Sequence, residues 1–269
     1  MKARQGVAPP FRAAMIAGLK PCATYCFACS LAFLLACDAT MESTADSNGR
    51  LTARPRSGTK SSASGERPLG LDARRDGVLF VPTNPGDRVP LLLLLHGAGG
   101  TGGGVLRRIR DAAEEAGVAV LAPDSRSSTW DAVRVGFGPD VAFIDRALAR
   151  AFETLAVDPE RVAIGGFSDG ATYALSLGLV NGDLFRRIVA FSPGFLVSGL
   201  RVGKPGVFIS HGTSDQILPI DRTSLMIVPG LRQRGYEVSF HEFDGGHEVP
   251  PAIAKEGVAW VTNSSSPPR

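Results

Sequence analysis

The sequence feature that most constrains the fold is a series of short apolar runs separated by segments with helical periodicity. Seven such runs are bounded by Gly, Pro or Asp: 77–81, 90–95, 118–122, 161–165, 187–191, 206–210 and 237–243. Apolar residues recur with a helical period in five other segments: 105–116, 141–155, 171–180, 223–234 and 252–261. Continuous hydrophobicity is typical of strands buried on both faces of a parallel sheet, and only the last run, "EVSFHEF", alternates as an edge strand does. The pattern therefore predicts an α/β fold with a mainly parallel sheet covered by helices on both sides.

Charge and cysteine content narrow the classes of function. The formal net charge is +3, but residues 1–37 hold four of the 29 basic residues and none of the 26 acidic ones, so the rest of the chain carries −1. A nearly neutral domain does not favour a nucleic-acid partner. All four cysteines also lie in this first segment: Cys22, Cys26, Cys29 and Cys37. The remainder therefore offers no thiol nucleophile, disulfide or thiolate metal site, and its chemistry must use oxygen and nitrogen.

Residues 1–37 have the layout of a secretory signal. A basic stretch is followed by 14 uncharged residues, "ATYCFACSLAFLLA", which are too few to cross a bilayer as a helix. The ending "LLAC" resembles the lipobox of bacterial lipoproteins, so we expect export, lipidation of Cys37 and a membrane contact through that anchor alone. The alternatives are a plain signal peptide, which would leave the protein secreted, and an uncleaved anchor.

The spacing of Cys22, Cys26 and Cys29 is also that of a radical-SAM iron–sulfur motif. Thiolates that bind such a cluster need a folded protein cage around it. In this chain they lie in an apolar leader followed by a polar tail, so the signal interpretation is favoured.

Residues 38–70 are rich in Ser, Thr, Gly and Arg and contain hardly any large apolar side chain. Such a composition cannot bury enough surface to offset the loss of chain entropy, so it predicts a flexible tether. We therefore expect one folded domain over residues 71–269.

The stretch "GGFSDG" lies between the apolar run 161–165 and the helical segment 171–180 and fits the pattern G-x-S-x-G. In that pattern a serine sits in a tight strand-to-helix turn, and side chains at the two glycine positions would clash with the strand and the helix. The N-terminus of the helix also favours negative charge that develops near the serine. Ser168 is therefore the predicted nucleophile, and the alternative is a small residue in a structural turn.

A serine hydroxyl needs a base to accept its proton, and the chain has four histidines. His241 lies inside a predicted strand, while His96 and His211 each end a strand before a glycine, where a ring most often orders a loop. His247 stands on a Gly-rich loop after the last strand, in "FDGGHEVP", and can reach across the carboxyl edge of the sheet. His247 is therefore the predicted base.

A carboxylate must hold the tautomer of that base and stabilise the imidazolium. Asp215 follows the apolar run 206–210 on a loop that contains no large side chain between them. Asp244 is only three residues from His247 and is expected to shape that turn instead. The resulting chain order, with Ser168 before Asp215 and His247 last, is that of α/β hydrolases.

Acyl transfer also requires donors for the oxyanion of the tetrahedral intermediate. The stretch "LLLLLHGAGGTGGG" ends an early strand with a histidine and glycines, a loop type whose backbone N–H groups can point at an oxyanion. The predicted donors are the amides of Ala98 and Asp169, with those of Gly97 or Gly99 as alternatives. A phosphate-binding loop is not favoured, because no Lys-Ser/Thr pair follows the glycines and the helix is predicted to begin at Val105.

Four motifs together resemble the phospholipase/carboxylesterase family of α/β hydrolases: "LLLLLHGAGG", "GGFSDGA", "HGTSDQILPI" and "FDGGHEVP". That family includes acyl-protein thioesterases and lies near polyhydroxybutyrate depolymerases and feruloyl esterases. The resemblance covers about residues 71–261 and implies an α/β-hydrolase fold and a serine esterase that needs no cofactor and no metal. The chain departs from the family at Asp169, where many members carry Gln or Gly, and an acid beside the nucleophile could change the preference of the pocket.

The substrate side of the site is less constrained by sequence. Only residues 192–205 separate two predicted strands at the place where larger hydrolases insert a cap, so we expect no large cap domain and an open site. An open site favours esters of short to medium acyl chains. Trp130 and Phe137 lie on a loop after the third buried run and could line the substrate pocket. The alternative for both is packing within that loop.

These observations predict a monomeric serine carboxylesterase that acts through an acyl-enzyme on Ser168. The same residues could instead cleave thioesters or peptides. A function of a different class, a non-catalytic surface binding module on a hydrolase fold, is expected to lack a member of the Ser–His–Asp set, and none is missing here.

Overall fold

The computed structural model describes residues 48–56 and 63–262 of the chain. The predicted signal segment, Cys37 and part of the predicted tether lie outside the described residues. Within the described ranges, no helix has the length and apolar character needed to cross a membrane.

One eight-stranded sheet forms the centre of the domain. Its strands are β1 (Gly65–Pro68), β2 (Gly77–Val81), β3 (Val89–Leu95), β4 (Ala119–Pro123), β5 (Val157–Phe167), β6 (Arg187–Phe191), β7 (Gly206–Gly212) and β8 (Val238–Phe243). Their order across the sheet is β1-β2-β4-β3-β5-β6-β7-β8. Six neighbouring strands, β4-β3-β5-β6-β7-β8, run parallel to one another. At one edge β2 pairs antiparallel with β4, and β1 pairs antiparallel with β2. The mainly parallel sheet predicted from the apolar runs is thus confirmed, with β8 at an edge and β1 as a strand that the sequence did not indicate.

In the part of the chain that the structure describes, five α-helices cover both faces of this sheet. They are α1 (Gly102–Glu115), α2 (Pro139–Thr154), α3 (Asp169–Val180), α4 (Ser224–Gln233) and α5 (Pro251–Thr262). The five consecutive leucines 91–95 are all fully buried, and alternate ones point to opposite faces. One face packs against α2, α3 and α4, and the other packs against α1 and α5. Each of these leucines stabilises the fold by about 2 kcal/mol through burial, so β3 anchors both layers.

Helix α1 begins three residues earlier than the helical period predicts. The Oγ1 atom of Thr101 accepts a hydrogen bond from the N–H of Gly104 at 3.1 Å, and Oδ1 of Asp124 accepts one from the N–H of Gly102 at 2.7 Å. A Cβ on Gly102 would lie only 1.9 Å from the carbonyl oxygen of Ala122. Gly102 therefore permits close packing of the first helical turn on β4, and side-chain capping offsets the low helix propensity of the glycines in this turn.

The prediction of a flexible tether over residues 38–70 is wrong for residues 48–56 and for β1. The backbone N–H of Leu51 donates to Oδ1 of Asn181 at 2.9 Å, and the Leu51 side chain is buried. The guanidinium of Arg50 forms two hydrogen bonds of 2.9 Å with the carboxylate of Asp183. The prediction was based on the small number of apolar side chains in this segment. Residues 48–56 are instead held by polar contacts with the end of α3, and β1 is held by backbone pairing with β2. A count of apolar residues detects neither kind of contact.

The connection between β6 and β7 contains no helix or strand. In the part of the chain that the structure describes, no cap domain is therefore inserted at this position. The prediction of an uncapped α/β-hydrolase fold agrees with this arrangement.

Candidate active site

The turn between β5 and α3 holds Ser168 in a strained backbone conformation. Ser168 has φ 59° and ψ −121°, and a non-glycine residue in such a conformation costs on the order of 1–3 kcal/mol. A Cβ on Gly166 would lie 2.3 Å from the carbonyl oxygen of Gly170, and one on Gly170 would lie 2.2 Å from that of Leu95. Neither glycine position can accept a side chain without a backbone shift, which is the physical reason for the G-x-S-x-G spacing.

Three loops at the carboxyl edge of the sheet bring Ser168, Asp215 and His247 together. Ser168 follows β5, Asp215 follows β7 and His247 follows β8. The Oγ atom of Ser168 lies 2.8 Å from Nε2 of His247, and Nδ1 of His247 lies 2.6 Å from Oδ2 of Asp215. The Asp215 carboxylate is buried, while the His247 side chain is 15% exposed and Ser168 is half-buried. The three side chains therefore form a continuous hydrogen-bonded row whose serine end is accessible.

The protonation of this row follows from the surroundings of Asp215. Its Oδ1 atom accepts hydrogen bonds from the N–H groups of Ile217 and Leu218, each at 2.9 Å. Burial alone would raise the pKa of Asp215, but hydrogen bonds from Leu218 and His247 outweigh it and lower that pKa below its ordinary value. Because an ionised carboxylate only accepts hydrogen bonds, Nδ1 of His247 carries the proton. Its Nε2 lone pair then faces the hydroxyl of Ser168, as proton abstraction requires.

His211 also contacts this row of side chains. The sequence predicted only that its ring orders a loop. Its Nε2 atom lies 2.7 Å from the carbonyl oxygen of Leu218 and 3.2 Å from Oδ2 of Asp215, and its Nδ1 atom lies 2.7 Å from Oγ of Ser224. A carbonyl only accepts, so Nε2 carries the proton and Nδ1 accepts from the serine. Burial lowers the pKa of His211, which keeps the ring neutral. His211 thus orders the loop that carries Asp215, and its Nε2–H is a second, weaker donor to the Asp215 carboxylate. No sequence pattern predicts this contact.

The other two histidines serve as structural partners. Nδ1 of His96 donates to the carbonyl oxygen of Gly97 at 2.7 Å, and Nε2 accepts from the N–H of Ser125 at 3.0 Å. Burial lowers the pKa of His96, so this neutral tautomer persists and orders the loop after β3, as predicted. His241 lies on β8 and contacts Glu256 of α5 at 2.8 Å, outside the row that includes the serine.

Trp130 does not line a pocket, and this prediction is wrong. Its ring is fully buried, lies 4.9 Å from that of His96 and 5.3 Å from that of Tyr173, and donates Nε1–H to the His96 carbonyl oxygen at 2.8 Å. Phe137 meets Tyr173 edge-on at 5.5 Å and lies so close to Gly49 that a Cβ there would be 2.6 Å from the ring. Both aromatic side chains therefore take the packing role that was the alternative, because the loop after β4 folds inward over α3.

The loop after β3 passes directly beside the serine. A Cβ on Gly97 would lie 3.2 Å from Cβ of Ser168. The N–H of Gly99 already donates to the carbonyl oxygen of Ser128 at 2.6 Å, so that alternative oxyanion donor is occupied. Within residues 48–56 and 63–262, the N–H groups of Ala98 and Asp169 have no acceptor, and the same holds for the other alternative, Gly97. These two predicted donors therefore remain available to a ligand at Ser168.

Similarity to known proteins supports the predicted fold and family independently of the site geometry. The model of the phospholipase/carboxylesterase family matches residues 141–256. Feruloyl esterase C of Emericella nidulans is 27% identical over 158 residues, which cover 49% of this chain and 57% of that protein. Acyl-protein thioesterase 1 of Gibberella zeae is 31% identical over 121 residues, which cover 40% of this chain and 50% of that protein. The chain thus spans between half and three fifths of the length of these curated relatives.

Solved structures show the same fold. The fluorophosphonate-binding serine hydrolase F of Staphylococcus aureus has a TM-score of 0.60 at 15% identity and covers 76% of this chain and 100% of its own. Esterase PE8 has a TM-score of 0.58 at 22% identity and covers 71% of this chain and 99% of its own. The chain is therefore an α/β hydrolase by fold, and its residues 141–256 match the phospholipase/carboxylesterase family.

Proposed function

We propose that this protein is a serine carboxylesterase that forms an acyl-enzyme on Ser168. The observation that carries the proposal is the row of two short hydrogen bonds, 2.8 Å from Ser168 to His247 and 2.6 Å from His247 to Asp215. The row ends at a serine in a strained turn at the N-terminus of α3, where the helix dipole favours developing negative charge. Structural packing alone does not require this combination of strain, exposure and hydrogen bonding.

The proposed reaction has two symmetrical halves. Oγ of Ser168 attacks the ester carbonyl as its proton moves to Nε2 of His247, and the tetrahedral intermediate collapses when that proton passes to the leaving alcohol. Water then attacks the acyl-enzyme by the same proton route, which releases the acid and restores Ser168. Asp215 stays ionised throughout and stabilises the imidazolium of His247.

The oxyanion of each intermediate would lie between the amides of Ala98 and Asp169. Removing one such donor in other enzymes raises the activation free energy by about 3–4 kcal/mol. Efficient acyl transfer therefore depends on free N–H groups beside the serine. Their lack of other acceptors within the described ranges supports this role.

The proposed substrates are carboxylic esters of short to medium acyl chains. The relatives named feruloyl esterase and acyl-protein thioesterase favour carbonyl substrates with an oxygen or a sulfur leaving group. The short connection between β6 and β7 favours an open site rather than a deep lipid tunnel.

A p-nitrophenyl ester series tests the acyl preference, and a rate maximum at long chains would contradict it. Matched ester, thioester and amide substrates test the leaving group, and faster cleavage of the thioester would favour a thioesterase.

Labelling with a fluorophosphonate tests the nucleophile directly. We expect wild type to be labelled at Ser168, and Ser168→Ala and His247→Ala to remain unlabelled while keeping the wild-type far-UV circular dichroism spectrum. Ser198→Ala is the matched control, because Ser198 is exposed on the connection between β6 and β7, and it should label as wild type does. An unlabelled wild type would overturn the enzyme proposal and favour a binding module on this fold.

We propose from the sequence alone that the protein is a monomer that is exported and lipidated at Cys37, a residue outside the described ranges. Wild type should fractionate with membranes and Cys37→Ser should not. Mass spectrometry of the mature N-terminus checks this, and a wild-type chain with an unmodified cysteine 37 would contradict it.

A further inference from the structure

The carboxylate of Asp169 takes no part in the proton route, although its residue directly follows Ser168. Its Oδ2 atom accepts a hydrogen bond from Oγ1 of Thr129 at 2.6 Å. Thr129 is buried on the connection between β4 and α2. A carboxylate beside a developing oxyanion is electrostatically unfavourable, and a structural role of its side chain would offset that cost.

That role follows from the residue before Thr129. The carbonyl oxygen of Ser128 accepts the N–H of Gly99 at 2.6 Å. Gly99 is the neighbour of Ala98, whose amide is the second oxyanion donor in the proposed reaction. A continuous path of two short hydrogen bonds, Asp169–Thr129 and Ser128–Gly99, and two steps between adjacent residues thus joins the Asp169 side chain to the Ala98 amide.

The connection that carries Thr129 is also held from the opposite side. Asp140, at the start of α2, accepts the N–H of Arg126 at 2.5 Å and that of Asp131 at 2.7 Å. Both ends of residues 126–131 are therefore fixed to α2, while the Thr129 hydroxyl fixes the middle to the first residue of α3. The connection cannot shift relative to Ser168 without breaking one of these bonds.

We propose that Asp169 is a positioning residue that sets the spacing of the two oxyanion donors. Its own amide is one donor, and its carboxylate, through Thr129 and Ser128, holds the loop that carries the Ala98 amide. The inference rests on the proposed function. Oxyanion donors act only when they lie about 2.7–3.1 Å from the oxyanion, so a small displacement of the loop weakens the transition state more than substrate binding.

A double-mutant cycle tests the path. Thr129→Val removes the hydroxyl with little change of shape, and Asp169→Ala removes its acceptor. Each should lower kcat at least about tenfold with little change in KM. The double variant should lose no more than either single variant, because both break the same path. Asp169→Asn and Thr129→Ser, which keep an acceptor and a hydroxyl, should each recover most of the loss of the matching variant.

The matched control is Ser127→Ala, since Ser127 is exposed on the same connection and its side chain makes no hydrogen bond within the described ranges. Its kcat should equal that of wild type. The affinity for a trifluoromethyl ketone that mimics the tetrahedral intermediate should fall in parallel with kcat in Thr129→Val and Asp169→Ala.

The outcomes separate this inference from the proposed function. If wild type hydrolyses esters and Thr129→Val retains wild-type kcat and ketone affinity, the positioning role is refuted while the esterase proposal stands. A fully additive double variant, or a rise in KM with kcat unchanged, would also refute it. If Asp169→Ala does not fold, the Thr129 variants still decide the question. An inactive wild type would instead overturn the esterase proposal.

Discussion

Replacing Asp140 by asparagine tests how the connection beside the candidate site is held. The Asp140 side chain is 1% exposed, and its two oxygens accept the backbone N–H groups of Arg126 and Asp131. Burial, assisted by the nearby Asp131 carboxylate, raises the pKa of Asp140 from 3.8 to about 6, although the two N–H donors act in the opposite direction. Desolvation therefore outweighs hydrogen bonding at this carboxyl group.

The pKa shift sets the size and the sign of the effect on stability. A rise from 3.8 to about 6 corresponds to about 3 kcal/mol, at roughly 1.4 kcal/mol for each pKa unit. Below pH 3.8 the group is protonated in both states and its stabilising contribution is complete. As the pH rises towards 6 the unfolded chain loses this proton first, so the folded state loses that stability, and above the folded pKa nothing further changes.

Urea unfolding of wild type and Asp140→Asn at several values between about pH 3.5 and pH 7.5 measures this contribution. Titrating groups that do not interact with Asp140 cancel in the difference between the two proteins. The free energy of unfolding of wild type minus that of the variant should fall by about 3 kcal/mol as the pH rises. A difference that stays constant, or that grows with pH, would show that the two N–H donors dominate and would refute the reasoning.

Three further substitutions have expected outcomes that follow from the contacts described. Gly170→Ala should lose at least about 1–3 kcal/mol of unfolding free energy in urea titrations, because the new methyl group would collide with a backbone carbonyl oxygen of β3; wild-type stability would contradict this. His211→Phe leaves the Leu218 carbonyl oxygen without its donor, so the free energy of unfolding measured by thermal unfolding should fall by about 1–3 kcal/mol. The kcat should also fall, because the loop that carries Asp215 loses order. An unchanged kcat would show that His211 has no role in the site. Asn181→Ala removes the acceptor of the Leu51 N–H, so limited proteolysis should cut residues 48–56 faster while the proposed esterase activity is kept; unchanged cleavage would show that other contacts hold this segment.

Much of the candidate site was predictable because it depends on local patterns at the ends of parallel strands. Ser168, Asp215 and His247 each follow a strand, and the carboxyl ends of parallel strands meet at one edge of a sheet. Strand and helix positions needed only apolar periodicity, which burial on both faces of the sheet makes strong. The turn around Ser168 was predictable for a steric reason, since only glycine fits at its two flanking positions.

The tertiary structure alone decided contacts between residues that no local pattern connects. Trp130 could equally have faced substrate or core, and the inward fold of its loop buried it on Tyr173. Residues 48–56 are polar in composition, yet their backbone and Arg50 find acceptors at the end of α3 more than a hundred residues away.

The sequence by itself determined the layered α/β fold and which side chains could form the reacting row, because burial and steric exclusion act on each segment separately. The role of the Asp169 carboxylate was not accessible in this way. It depends on Thr129, forty residues earlier, and hydrogen bonds between separate loops form only once the sheet has brought those loops together. The three-dimensional fold thus decided how the proposed oxyanion donors around Ser168 are held, while the sequence decided where Ser168 lies in the chain.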